Sequence, residues 1–484
     1  MSDKSTRNSV LGGMFWKFSE RILTQGASFV VSLILARLLS PDDHGLIALV
    51  QVFLNLAAVF ITCGFSTALV QKKDADDTDF STIFYCSLLC SFVIYGVLYA
   101  IAPLVARFYA EPRITRLLRI FALQVPLSVY HSIQSAYISR HMLFRKTFVS
   151  SLINSVLSGA VGIGMALAGW GVWALVGQSM MHTLINTVIL AVMVPWRPKR
   201  KVSAASAKSL MKYGSGILGA ELSAAFFLEL RTLVVGGVFS SAELAYYNKG
   251  RQIPYLLTAN LSSAVMTVML PALSNCNDDL IRVKQMTRRS VKMLSYILVP
   301  CMFGLSAVTE PMILLLYTQK WAQTIPFGQI LAVGLCIDIV GSLPLQALKA
   351  IGRSDVVLKL EFWKKPVYVL LLLAGIQFDV FTLAVLMVLY DVYSVAVNMV
   401  TMKKYIPYGL AEQLRDLLPA YALGTVMLVL VYLIPSTGSL VLTLVIKIAA
   451  GAAIYIAGSV LFRVESFRYL LNIGKGYLGK KKKP

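Results

Sequence analysis

Long apolar runs separated by short polar breaks make up almost the whole chain. A membrane-spanning helix needs about 20 mainly apolar residues. Runs of that size fall near 13–38, 44–70, 80–108, 114–138, 146–168, 170–195, 209–238, 242–270, 287–309, 324–348, 355–376, 379–402, 414–435 and 440–462, about fourteen in all. In lipid, only helices and closed barrels satisfy their own backbone groups. No stretch shows the period-two alternation of a barrel strand. The pattern predicts an all-α integral membrane protein with about fourteen transmembrane helices.

The polar breaks recur. From Leu33 to Lys73 an apolar helix arrives at Arg37, stops at Ser40-Pro41-Asp42-Asp43, and a second apolar run ends at Lys72-Lys73. Proline tolerates the first helical turn and acids favour the positive end of a helix, so the break reads as a hairpin turn. Roughly 200 residues later, Leu39 to Asp43 lines up with Phe239 to Glu243, Ser9 with Ser209, and Gln51 with Arg251. Pro103 to Leu123 parallels Pro311 to Val333, and Gln134 to Lys146 parallels Gln346 to Lys359. Six helices per lobe is an even number, which makes the repeat parallel, with an axis along the membrane normal. Two such lobes leave a central cleft that can open to either face. The basic linker Trp196 to Ser206 marks the lobe boundary. The expected division is 1–200, 201–405, and a remainder, 406–484, of two additional helices and a basic tail.

The connections alternate in charge. One set holds Lys72 and Lys73; Arg140, Arg145 and Lys146; Arg197, Lys199, Arg200 and Lys201; Arg282, Lys284, Arg288 and Arg289; Lys349 and Arg353; Lys403 and Lys404; and Lys480 to Lys483. The other holds Asp42 and Asp43, Gly169 to Gly171, Glu243, Phe378 and Asp379, and Pro435 to Gly438. Positive-inside bias makes the first set cytoplasmic and puts both termini inside. Arg107, Arg113, Arg116 and Arg119 break the rule; an amphipathic interfacial segment would explain them.

Composition agrees. The chain of 484 residues is 57% hydrophobic and 14% charged, with mean hydropathy +0.72. Soluble domains carry about 25% charged residues. The net charge of +22 would suggest nucleic acid in a soluble protein. Here the bases cluster between spans, so no nucleic-acid partner is expected. The six cysteines lie mostly inside apolar runs without ligand partners, and no metal or other cofactor is expected.

Several segments resemble a known family. LARLLSPDDHGLIAL, CGFSTALVQKK, ISRHMLFRKTF and LAGWGVWALVGQ, then SAELAYYNKGRQIPYL, QKWAQTIPFGQILAV and KAIGRSD, occur in an order and spacing similar to the Wzx-type flippases. The likeness is to the colanic-acid and O-antigen exporter branch of the multidrug/oligosaccharidyl-lipid/polysaccharide superfamily. It runs to about residue 405 and is weak in the last two helices. His44 and Thr62 depart from the pattern, the latter where an acid often precedes the Cys63-Gly64 pair. The resemblance implies a flippase of the bacterial inner membrane. It would move an undecaprenyl-pyrophosphate-linked sugar repeat unit to the outer leaflet by alternating access, among membrane lipids and beside a polymerase and other export machinery.

That substrate sets chemical demands, and charged residues inside helices are functional hypotheses by default. For the pyrophosphate the candidates are Arg231, Arg251, Lys249, Arg140, Lys349 and Arg353. A guanidinium can grip phosphate oxygens with two parallel hydrogen bonds. Lys249 and Arg251 are two apart, about 200° around a helix, so both cannot face one cavity; Arg251 is the expected inward residue. Arg140, Lys349 and Arg353 are also explained by positive-inside bias alone. Glu20, Glu229, Asp338 and Asp391 are candidates for ion coupling to an H+ or Na+ gradient, or for counter-charge. Ion pairs or helix hydrogen bonds would account for the same residues. His131 and His182 read as interior histidines.

Two other readings stay open. One is an ion-coupled multidrug antiporter of the same fold, though in-helix bases at least match the acids. The other is a membrane glycosyltransferase or polymerase, which would need a large extracytoplasmic loop. No loop exceeds about 20 residues, and no nucleophile elbow, phosphate-binding glycine loop or zinc-ligand spacing is present. The chain is therefore not expected to be an enzyme.

Overall fold

The computed structural model describes residues 3–61, 69, 76–200, 202–274, 276 and 278–471, which form helices joined by turns and short irregular links. Thr62, Cys63, Lys72, Lys73, Lys201 and Lys480 to Lys483 lie outside the described residues. The helices are α1 (Asp3–Leu38), α2 (Pro41–Ile61), α3 (Asp77–Phe108), α4 (Arg113–Phe121), α5 (Gln124–Arg140), α6 (Phe144–Leu167), α7 (Val172–Met193), α8 (Ala204–Val238), α9 (Ser241–Ser274), α10 (Leu280–Tyr317), α11 (Ile325–Ala350), α12 (Ser354–Gly375), α13 (Val380–Met402), α14 (Leu410–Tyr432) and α15 (Leu440–Leu461). A 3-10 turn, Gln319–Thr324, leads into α11. Ten helical segments among the described residues are long and apolar enough to cross a membrane.

Each expected run coincides with a helix except 114–138, which breaks in two. In α4, Ile114, Leu117, Leu118 and Phe121 are buried on one face, leaving Arg113, Arg116 and Arg119 off it. That i, i+3, i+4, i+7 pattern is an amphipathic surface helix and not a span. Two of its bases, part of the exception to the charge alternation, are engaged locally. Arg113 holds Glu111 through two hydrogen bonds of 2.8 and 3.0 Å, which keeps the Glu111 carboxyl below its ordinary value. Arg119 stacks 4.2 Å from the Tyr99 ring centre.

The chain forms two compact units, Met1–Ala245 and Tyr246–Pro484. In the first, α6 packs along α1 and α7, α5 lies against α3 and α7, and α8 packs on α2 and α3. The sequence repeat assigns α8 to the second lobe; by contacts it lies with the first unit. In the second, α10 runs through the centre, touching α11, α14 and α15, while α13 is flanked by α11 and α12. Without a hydrophobic drive between helices in lipid, small residues allow the close approaches. Gly334 and Gly341 of α11 receive Val388 and Val395 of α13, and Gly424 of α14 receives Val299 of α10.

The repeated turns have repeated geometry. Before α2, the Ser40 hydroxyl accepts from the Asp43 N–H (3.2 Å) while the Asp43 carboxylate accepts from the Ser40 N–H (3.3 Å) and hydroxyl (2.7 Å). Before α9, Ser240 and Glu243 make the same three bonds at 3.2, 2.9 and 2.8 Å. Both are capping boxes. The basic turns also match. Met142 (φ 57°) and Gly352 (φ 77°) are left-handed, and each is followed by a bond back five residues, Leu143 to Ile138 and Arg353 to Leu348. This is the Schellman closure of a helix C-terminus.

Candidate functional site

Polar side chains gather inside each unit. In the first, α2, α5 and α7 enclose a cavity of about 210 Å³ whose polar lining comprises Gln51, Asn55, Gln124, Ser128, His131, His182, Thr183 and Asn186. The Gln51 amide donates to Asn55 (2.9 Å), and the Asn55 amide donates to the Glu229 carboxylate of α8 (2.8 Å). Gln124 donates to Thr183 (2.5 Å) across α5 and α7. A buried polar group needs such partners, since leaving one unmade costs about 1–3 kcal/mol. Of the sequence candidates, Glu229 therefore joins this network. Arg231 is half-buried two residues further along α8, so it points to a different side of that helix. Glu20 lies apart and accepts from Ser151 of α6 at 2.9 Å. Arg140 closes the basic end of α5 by donating to the Leu69 carbonyl at 3.1 Å.

The second unit carries its own intramembrane charges. Lys249 is buried, 8% exposed, with its ammonium 5.5 Å from the Tyr317 ring centre and 5.8 Å from Trp321. Aromatic faces attract a cation in a desolvated site. Arg251 is half-buried, and its guanidinium lies 5.2 Å from the Tyr255 ring centre. The Asp391 carboxylate of α13 reaches α11 beside Gly334, one helical turn from Asp338, and the neighbouring Tyr390 ring meets Tyr368 of α12 at 5.1 Å. Lys364, 3% exposed, bonds Glu361 (2.5 Å) and Asn398 (3.3 Å), and Asn398 donates to the Gly341 carbonyl (3.4 Å). Acids of α11 and α13 thus approach each other, and α12 adds the Glu361–Lys364 pair. Glu361 and Lys364 were not singled out from sequence. Their signal is an i, i+3 pair of opposite charge inside an apolar run, obscured by Lys359 and Lys365 on either side. Lys349 is exposed at the basic end of α11, and Arg353 is paired with Asp355 (3.1 Å) and stacked 4.5 Å from Tyr405.

Comparison with known proteins assigns this architecture. A family described as "Polysaccharide biosynthesis protein" matches residues 34–326, more than half of the chain. The chain belongs to that family. Among its curated relatives, a succinoglycan biosynthesis transport protein (ExoT) of Rhizobium meliloti is 26% identical over 75% of this chain and 73% of the relative. A lipopolysaccharide biosynthesis protein (WzxC) of Escherichia coli is 20% identical over 77% of this chain and 76% of its own length. The fold is that of a lipid II flippase, MurJ, in an inward closed conformation, with TM-score 0.75 and 16% identity over 95% of this chain and 100% of that one. An inward-facing multidrug transporter of the multidrug/oligosaccharidyl-lipid/polysaccharide superfamily matches less closely, with TM-score 0.58 and 13% identity over 81% and 98%. This member of the polysaccharide biosynthesis family is therefore a multi-pass membrane protein with a transporter fold. Glu229, Arg231, Lys249 and Arg251 fall inside the family match. The acids of α11–α13 and the last two helices fall beyond it.

Proposed function

We propose that the protein is a flippase of the bacterial inner membrane that moves an undecaprenyl-pyrophosphate-linked oligosaccharide to the outer leaflet by alternating access, for surface polysaccharide assembly. The family match carries this reading, supported by relatives named for succinoglycan transport and lipopolysaccharide biosynthesis. Arg251 and Arg231 are assigned to the anionic pyrophosphate, with Lys249, on the opposite face of α9 beside Tyr317 and Trp321, as the alternative to Arg251. Each is a base within a long helix, where a charge costs about 2.5–3.5 kcal/mol unless it is used or compensated. Arg140, Lys349 and Arg353, at basic helix ends, attract the headgroup before it enters. Asp338 and Asp391 take up the coupling H+ or Na+; Glu229 and Glu20 supply counter-charge. Both termini face the cytoplasm, and no enzymatic step is assigned.

The test is export in cells lacking the chromosomal copy. Deletion should leave lipid-linked repeat units on the inner leaflet and abolish surface glycan. Restored wild type should reverse this, whereas at least one of Arg251→Ala and Lys249→Ala should restore less than about a tenth of export, matching the roughly 1.4 kcal/mol expected from losing one charge-assisted bond. Full export by both variants together with reduced efflux of cationic dyes would replace this reading with the antiporter one.

A further inference from the structure

The second unit contains a site that the transport reading does not use. Where α14 and α15 meet α10 at the basic end, a cavity of about 800 Å³ opens, with a second of about 450 Å³ beside it sharing Arg288, Lys292 and Glu465. Its mouth is charged. Arg288 grips the buried Asp416 through two hydrogen bonds of 2.6 and 2.8 Å, and Lys292 reaches both Asp416 (3.3 Å) and Glu465 (2.8 Å). Lys284 and Arg288 share Glu412 at 2.8 and 3.5 Å. Arg289 stacks 3.9 Å from Tyr469, and Arg415, Arg463 and Arg468 complete the walls. Seven bases thus face the three acids Glu412, Asp416 and Glu465, an excess of four positive charges. The floor is apolar, running along α14 through Leu418, Leu423 and Val426 to Phe462 of the α15 end. Arg463 adds a second anomaly. It is a left-handed residue (φ 49°) at a helix end where glycine would be unstrained, and its side chain lines the cavity.

A basic mouth above an apolar slot, at the level where helices leave the bilayer, has the chemistry of an anionic amphiphile. Basic pockets between spans on the cytoplasmic side suit phosphate headgroups, and the slot can take an acyl chain. We propose that this pocket holds a resident anionic phospholipid of the inner leaflet, its phosphate among Arg288, Lys292, Arg415, Arg463 and Arg468, and that the occupant is distinct from the transported cargo. The ion pairs preform the pocket. Asp416 and Glu465 fix Arg288 and Lys292 in place, and the surplus bases remain for the phosphate. The inference goes beyond the transport reading and stands whether or not the cargo is a glycan.

The full chain, purified and reconstituted in nanodiscs of phosphatidylcholine with 5% spin-labelled phosphatidylglycerol, tests this, using about one lipid in twenty as a probe fraction that keeps bulk attraction low. The wild type should immobilise the phosphatidylglycerol label in preference to a phosphatidylcholine label. Arg463→Gly should retain or raise thermal stability, because glycine relieves the left-handed backbone, while losing about fivefold in the preference; Arg415→Gln with Arg468→Gln should lose about fivefold for each base. Equal immobilisation of both labels would overturn the proposal, as would unchanged preference in these variants. Displacement of the label by stoichiometric undecaprenyl pyrophosphate would also overturn it, making the pocket part of the cargo path.

Discussion

A methyl group added at Gly45 would sit 1.8 Å from the Ser241 carbonyl oxygen and 2.4 Å from its carbon. Both are backbone atoms, so no rotamer change can relieve the clash. Gly45→Ala should therefore destabilise the first unit by about 1–3 kcal/mol, the usual cost of overpacking, and lower the thermal midpoint of the purified protein. Gly219→Ala, with nothing within 4 Å, is the control and should leave it unchanged or slightly higher. An unchanged midpoint for Gly45→Ala would mean that α2 and the α8–α9 turn do not meet as described. Residues at this scale were only partly legible. Sequence spacing put Lys249 and Arg251 on opposite faces of α9, but the placement of Lys249 depends on Tyr317 and Trp321, some 70 residues away, while Arg251 rests on Tyr255 of its own helix. Asp338 and Asp391 stood out as lone acids in apolar runs. That Asp391 comes to lie against α11 one turn from Asp338 follows from the α11–α13 packing, which no local pattern encodes.

Helices were legible almost in full, because a bilayer demands about 20 apolar residues per span and allows no exposed backbone. The run 114–138 shows the limit. Its hydrophobicity is high enough for a span, and only the phase of Arg113, Arg116 and Arg119 against the buried leucines separates α4 from α5. The segment 465–471 is too short to register by length, and it is joined to α10 both by the Lys292–Glu465 pair and by the packing of Phe467 and Leu470. Glu465 sits below its ordinary value of 4.5, chiefly through its hydrogen bond to Lys292. A carboxyl with a lowered folded value adds stability above its unfolded value and loses it as pH falls through the folded one. Hydrogen exchange across 465–471 should accelerate relative to the α10 core as pH is lowered below about 4.5, after correction for intrinsic rates. Glu465→Gln should show the faster relative exchange already at pH 7. Glu465 is 81% exposed, so the effect should be small and should shrink further in salt. A relative rate independent of pH in the wild type would assign the docking to Phe467 and Leu470 alone.

At the scale of the whole molecule, charge alternation along the chain makes a directional prediction. In chain order, the connections with Arg140, Arg145 and Lys146, Arg197 to Arg200, Lys349 and Arg353, and Lys403 and Lys404 alternate with those that hold the two capping boxes, the Gly169–Gly171 turn and Asp379. The bases of α4 fall with the second set, yet Arg113 is neutralised by Glu111 and Arg119 is folded onto Tyr99. They should therefore weigh little against the remaining bias, which acts through lysine and arginine in short connections. In a cysteine-free background, a membrane-impermeant maleimide applied to cells with a permeabilised outer membrane should label Ser240→Cys and spare Lys349→Cys. Inverted vesicles should give the reverse. Replacing Arg113, Arg116 and Arg119 by glutamine should leave this pattern intact. Labelling of Lys349→Cys from outside would invert the chain. It would place the basic ends, with Arg140 and Arg353, on the face where a lipid-linked precursor leaves and not where it is made, and the assigned direction of transport would lose its physical basis.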